Sequence, residues 1–241
     1  VPVMNNECDP VVGWGRIADW RAWPYYPAII AKIINQHQRG LIENMHAPFT
    51  LLSNDNGFVG NWYQRTLAAQ LGTEDPEAEQ FDMIRQGGLS IMSLLTLVGN
   101  HNGDFDIPLR EPSWFYNIGG NATRRGDDQF ALLLYNCLDN PYTKGKTPVK
   151  VKIKGLPEET LRLATYRIDA GHTNPYGIWT AQGKPEQPTP AQLAEMRRHE
   201  EPELFEEPRD IQAEGGQMEW EMDLPAPSVT LYLFSRDPGH G

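Results

Sequence analysis

The sequence predicts an α/β unit of the kind that builds a parallel sheet or barrel, followed by an antiparallel β-sandwich. Three observations carry this. Two short apolar runs near the amino end each lead through a polar loop into a helical stretch. The pattern changes near residue 100. Beyond that point, strand-like runs alternate with turn residues. The division falls at 1–100 for the α/β part and 101–241 for the sandwich, which carries one inserted helix near 190–200.

In chain order, 1–5 reads as a buried strand and 7–26 as an irregular, Trp-rich stretch. Residues 27–37 read as a helix whose apolar face is Ala28, Ile29, Ala31, Ile33 and Ile34. Pro48-Phe49-Thr50-Leu51-Leu52 is a second strand, short and buried on both sides, and Ser53-Asn54-Asp55-Asn56-Gly57 is its loop. A helix is expected over 76–98, with Phe81, Ile84, Leu89, Met92 and Leu95 along one side and Gly87-Gly88 as a kink. Two such units cannot close an eight-stranded barrel. The chain also opens at Val1 without an initiator Met or a signal-peptide core, so a processed chain or a carboxy-terminal portion of a barrel protein is expected.

After residue 100, strands are expected at 114–118, 130–136, 149–154, 161–169, 218–223 and 229–235. Val149-Lys150-Val151-Lys152-Ile153-Lys154 alternates strictly, giving one wet and one packed face. The stretch 119–126 and Asp139-Asn140-Pro141 read as turns. Thr189, Pro190 and Gln192 form a capping box that opens a helix running to about 200. The acidic stretch 200–207 reads as a solvated loop.

The 241 residues carry a formal net charge of −11, which disfavours nucleic acid as a partner because phosphate contacts need clustered Lys and Arg. Mean hydropathy is −0.54. The most apolar run, 89–98, is about half the roughly 20 residues of a membrane helix, so no membrane span is expected.

In parallel α/β architectures chemistry gathers beyond the carboxyl ends of strands. Glu7 follows the first strand and Asp55 the second, with Trp14, Trp20, Trp23 and Trp62 nearby. Carboxylates beside aromatic faces suit a sugar site, since the rings stack on the C–H face of a pyranose and the carboxylates supply acid, base or nucleophile. On pattern alone a second reading stays open: Glu7 caps a turn and Asp55 starts an Asx-turn.

Asn6-Glu7-Cys8-Asp9-Pro10-Val11-Val12-Gly13-Trp14 resembles the strand-seven nucleophile segment of the α-L-iduronidases of glycoside hydrolase family 39. The resemblance continues through Ile33-Ile34-Asn35-Gln36-His37-Gln38, Leu51-Leu52-Ser53-Asn54-Asp55-Asn56 and Gln64-Arg65-Thr66-Leu67. It runs more weakly through Gly155-Leu156-Pro157, Tyr166-Arg167-Ile168-Asp169 and Pro190-Ala191-Gln192-Leu193. It implies the carboxy-terminal portion of a (β/α)8 barrel followed by a β-sandwich. It implies that Glu7 is the nucleophile of a retaining glycosidase, that Gly13 and Trp14 line the sugar pocket and that Asp55 holds sugar hydroxyls. It assigns Arg65 to the carboxylate of a uronic acid, which a planar guanidinium grips through paired hydrogen bonds. The expected partner is a uronic-acid-terminated glycan, and the setting the resemblance implies is lysosomal or secreted.

A retaining mechanism needs a second carboxyl about 5–5.5 Å from the nucleophile. In this family it lies in an Asn-Glu pair, and here the only such pair is Asn6-Glu7 itself. The acid/base is therefore expected upstream, in the barrel segment that would partner this chain. A β-xylosidase of the same family and a noncatalytic carbohydrate-binding fragment are the alternative readings.

Other candidates are weaker. Cys8 and Cys137 read as structural thiols, because no His is placed to activate either. His37, His46, His101, His172, His199 and His240 lack metal-ligand spacing, and no cofactor motif is present, so neither a metal nor a cofactor is expected. The loop 100–106 reads as a linker. Asn121-Ala122-Thr123 is a candidate glycosylation sequon within a turn, flanked by solvated Arg124 and Arg125.

Overall fold

Strand β1 (Met4–Asn5) pairs in parallel with β2 (Leu51–Leu52), Met4 beside Leu51 and Asn5 beside Leu52. Between them the chain makes a 3-10 turn (Asp19–Ala22) and helix α1 (Tyr25–Met45), giving the strand–helix–strand unit that the apolar runs predict. This computed structural model describes residues 17–45, 57–72, 82–98 and 117–236, with backbone strands at 4–5, 51–52 and 101–102. Helix α1 begins at Tyr25 rather than 27 and extends to Met45 rather than 37.

Next come β3 (Gly57–Gly60), β4 (Thr66–Leu71) and β5 (Asp82–Arg85), a small mixed sheet ordered β3-β4-β5. None of these was expected. Helix α2 occupies only Gly87–Leu97, so the helix reading over 76–98 is corrected in its described first part. Ile84 is fully buried on β5, not on a helical stripe; it is the one buried residue of the strand, beside an exposed Met83, and a single inward residue satisfies either period. Gly87-Gly88 opens α2 instead of kinking it. A Cβ on Gly87 would lie 2.8 Å from Pro27 Cδ, so glycine there lets the start of α2 approach α1.

The sandwich consists of β6 (His101–Asn102), β7 (Ile118–Arg125), β8 (Gln129–Asn136), β9 (Gly145–Lys154), β10 (Thr160–Ile168), β11 (Glu203–Gln212), β12 (Gln217–Ala226) and β13 (Ser228–Arg236). Two helices, α3 (Pro175–Ala181) and α4 (Pro190–Arg198), lie between β10 and β11. The larger sheet runs β11-β10-β13-β8-β7-β6, with antiparallel pairing throughout, and β12-β9 form the smaller one.

Leu132, Leu134, Leu161, Leu163 and Phe234 of the larger sheet meet Val151 and Leu224 of the smaller. The other face of the larger sheet packs Leu133, Tyr135, Val229 and Leu231 against Tyr26, Ile29 and Ile30 of α1 and Ile91 and Leu94 of α2. Strand β8 is thus covered on both faces, which is why Ala131-Leu132-Leu133-Leu134-Tyr135 reads as an unbroken apolar run. Helix α4 carries the expected box: Thr189 Oγ1 accepts from the Gln192 N–H at 3.3 Å, and Gln192 Oε1 accepts from the Thr189 N–H at 2.8 Å.

Several expectations fail for identifiable reasons. The stretch 119–126 is strand through Arg125, and only Gly126, at φ +58°, has turn geometry. A Cβ at Gly119 would collide with the Tyr135 hydroxyl and one at Gly120 with the Leu133 carbonyl, so these glycines serve close approach within a sheet. Glu203–Gln212 is an edge strand, not a loop; its exposed charges and Pro208 suit an edge that must not pair further. His101–Asn102 pairs with Arg124 and Thr123 instead of lying wholly in a linker.

Candidate active site

The parallel register of β1 and β2 puts their carboxyl ends at one edge, and those strands immediately precede the segments that contain Glu7 and Asp55 in sequence. Glu7, Gly13, Trp14 and Asp55 themselves lie outside the described residues. Arg65 is described and is 8% exposed.

Arg65 ends a turn between β3 and β4 that is held at many points. The Arg65 carbonyl accepts from the Gly57 N–H at 3.0 Å, tying the start of β3 to the end of the turn. Gln64 Oε1 accepts from the Asn61 N–H at 2.9 Å, and Asn61 Oδ1 accepts from the Tyr63 N–H at 2.9 Å. The Tyr63 carbonyl accepts from the Ala18 N–H at 3.0 Å, which fastens the turn to the segment following Trp14 in the chain. Gln86, just before α2, is buried beneath the turn. Its Nε2 donates to the Asn61 carbonyl at 3.0 Å and to Thr66 Oγ1 at 2.9 Å. Sequence reasoning missed Gln86, whose only local signal is its place before a Gly-Gly helix start.

The tryptophans divide differently from expectation. Trp20 is buried in the core beside Tyr25 and Tyr26. Trp62 is buried against Tyr176 and Trp179, with ring centroids at 5.4 and 5.7 Å. Trp23 meets Tyr142 edge-on at 5.4 Å. The cleft between these groups, lined by Trp23, Trp62, Thr173 and Tyr176, offers about 10 Å³, room for one water and none for a sugar ring. Trp20 and Trp62 are therefore core residues rather than sugar platforms. Tyr63, on the turn itself, has its hydroxyl 3.5 Å from that of Tyr176; this contact, with burial, pushes its pKa up to about 12, so it stays neutral.

Cys8, His46 and His240 lie outside the described residues, and Cys137, Asn121 and Arg125 have structural places. Burial pushes the Cys137 thiol up to about 12, leaving it protonated and a poor nucleophile. Asn121 lies on β7, not in a turn, and its Oδ1 accepts from Asn35 Nδ2 at 2.6 Å. Arg125 is not simply solvated: its Nη2 donates to the Thr96 and Val98 carbonyls at 2.7 and 3.1 Å, capping the end of α2. Among the described residues no group of His, Cys, Asp and Glu is arranged to hold a metal, and no helix is long and apolar enough to cross a membrane.

The fold is the carboxy-terminal part of a (β/α)8 barrel followed by an antiparallel β-sandwich, an architecture of sugar-cleaving enzymes. The chain belongs to the glycosyl hydrolases family 39, whose sequence profile matches residues 1–218. It is 29% identical to α-L-iduronidase of Mus musculus over 95% of its own length and 38% of that protein's. It is 30% identical to α-L-iduronidase of Homo sapiens over 95% of its length and 37% of that protein's. The chain thus spans little more than a third of these relatives. Its fold matches that of a bacterial orthologue of human α-L-iduronidase with a TM-score of 0.87 and 32% identity, across 99% of this chain and 42% of that one. A monomeric β-xylosidase of Caulobacter crescentus shares the fold at a TM-score of 0.65 and 14% identity, over 98% of this chain and 45% of the other.

Proposed function

We propose that this chain contributes the nucleophile and the uronate-recognising side of a retaining glycosidase that removes terminal α-L-iduronic acid from glycosaminoglycans. The observation that carries the reading is Arg65, a buried guanidinium on a rigid turn, in a chain similar to α-L-iduronidases along 95% of its length. In this reading Glu7 attacks the anomeric carbon, the glycosidic oxygen departs with a proton from a second carboxyl, and water later releases the covalent glycosyl–enzyme. Asp55 holds ring hydroxyls, and Gly13 and Trp14 line the pocket. Arg65 meets the C6 carboxylate, letting a protein of net charge −11 bind an acidic sugar through one local cation. The proton donor is assigned to barrel strands other than β1 and β2. A lysosomal or secreted setting belongs to the same reading.

A β-xylosidase is the alternative, and it would leave the uronate-recognising role of Arg65 without an object, since a xyloside has no carboxylate for the guanidinium to meet. The test is hydrolysis of a fluorogenic α-L-iduronide and of a β-xyloside by the protein in its natural full-length form, with Glu7→Gln alongside. The reading expects turnover of the iduronide alone, abolished by Glu7→Gln. Xyloside turnover, or activity that survives the substitution, overturns it.

A further inference from the structure

We infer that Gln86 is a positioning residue that sets the placement of Arg65 and thereby the preference for a uronic acid over a neutral sugar. The inference rests on the reading of Arg65 given above.

Gln86 is 1% exposed and anchored by its own backbone, whose N–H donates to the Leu67 carbonyl at 2.8 Å. Its carbonyl accepts the first helical hydrogen bonds of α2, from Leu89 at 2.9 Å and Ser90 at 3.1 Å. The side chain therefore projects from a fixed base. Both hydrogens of its amide go to one turn, to Asn61 O at the start and to Thr66 Oγ1 just past the end. Thr66 in turn passes its hydroxyl hydrogen to Ala68 O at 3.1 Å, so the chain of donors has one direction. One planar NH₂ group thus fixes the span from Asn61 to Thr66, and Arg65 lies inside that span.

The same amide is left with a cost. Its Oε1 is buried and accepts no hydrogen bond from the described residues. A side chain kept only to fill space would not carry an unpaired carbonyl, since an apolar residue of similar size avoids that penalty. A guanidinium that must meet both oxygens of a carboxylate tolerates little error. A misplacement of about 1 Å is enough to cost on the order of 100-fold.

The test compares the α-L-iduronide with its neutral counterpart, the α-L-idoside that has CH₂OH in place of the carboxylate, using the natural full-length protein and three variants. Arg65→Gln establishes whether the carboxylate is read at this residue. Gln86→Met removes both donors at similar volume, and Thr66→Val removes one acceptor without touching Gln86, so the test survives if Gln86→Met fails to fold. Gln86→Met and Thr66→Val are each expected to raise KM for the iduronide about tenfold, with kcat and idoside turnover little changed. Equal losses on both substrates that track a fall in Tm would make Gln86 merely structural and overturn the inference. An unchanged preference in these two variants, while Arg65→Gln abolishes it, overturns the inference and leaves the reading of Arg65 standing. If Arg65→Gln itself keeps the preference, that reading fails and the inference falls with it.

Discussion

Lys32 of α1 holds its ammonium 2.9 Å from Asp139 Oδ1 and 3.2 Å from the Cys137 carbonyl, crossing from the helix to the chain just past the end of β8. The pair is lopsided: the lysine side chain is 5% exposed and the aspartate 71%. Removing the aspartate leaves a buried cation with its neutralising charge gone and the Cys137 carbonyl still accepting from it, whereas removing the lysine leaves a solvated carboxylate and takes one donor from that carbonyl. Asp139→Ala is expected to cost about 1–2 kcal/mol, near the range for a hydrogen bond to a charged group. Lys32→Met should cost less than half of that, because the charge and its desolvation disappear together. Urea unfolding of both variants checks the order.

Three positions along α1, Asn35 repeats this docking with neutral groups. Its Nδ2 donates to Gly120 O and Asn121 Oδ1, both at 2.6 Å, and its Oδ1 accepts from the Tyr135 hydroxyl at 3.1 Å. Asn121 is thus held against α1 through the Oδ1 of the amide whose nitrogen a glycan would modify. In a glycosylating host, peptide mass spectrometry is expected to find Asn121 unmodified. Asn35→Ala should cost about 2–4 kcal/mol, since it removes three hydrogen bonds that tie α1 to β7 and β8.

Cys137 makes a separate prediction about pH. Its thiol rises from the ordinary 9.0 to about 12, chiefly through burial. The folded protein therefore binds the proton more tightly than the unfolded chain. The stability associated with the neutral thiol is complete below pH 9 and is lost as pH rises through the window up to about 12. In a Cys8→Ser background, a thiol reagent at pH 8 should leave Cys137 unlabelled while folded and label it fully in denaturant. Labelling of the folded protein at the rate of a free thiol contradicts the burial argument.

What could be read in the sequence follows from how local each signal is. The run at 131–135, the alternation at 149–154 and the Thr189–Gln192 box each declare themselves within a few residues, and each forms as expected. The β3-β4-β5 sheet does not. Its outer strands are four residues long, β3 is bounded by glycines, and β5 buries Ile84 alone while leaving the apolar Met83 exposed. Gly119 and Gly120 look like turn residues because the Tyr135 and Leu133 atoms that demand glycine come from the neighbouring strand. The candidate site shows the same division. Arg65 enters the candidate site through its resemblance to a known motif, whereas Gln86 is tied to the same turn by contacts 20 and 25 residues away, which no local pattern encodes.

Arg65→Lys tests recognition more finely than removal of the side chain. Lysine keeps the positive charge but presents a compact ammonium on a flexible stem, without the planar pair of donors that matches both carboxylate oxygens. If Arg65 only supplied charge, Arg65→Lys would bind the iduronide nearly as well as the parent. If paired hydrogen bonds set by the turn are what recognise the sugar, KM for the iduronide should rise about 10- to 100-fold while kcat falls much less, because the lost interaction is made in ground and transition states alike. The neutral α-L-idoside, which offers no carboxylate, should be cleaved equally well by both proteins. Steady-state kinetics on the two substrates therefore separate charge from geometry, and a matched loss on both would place Arg65 in the scaffold rather than in recognition.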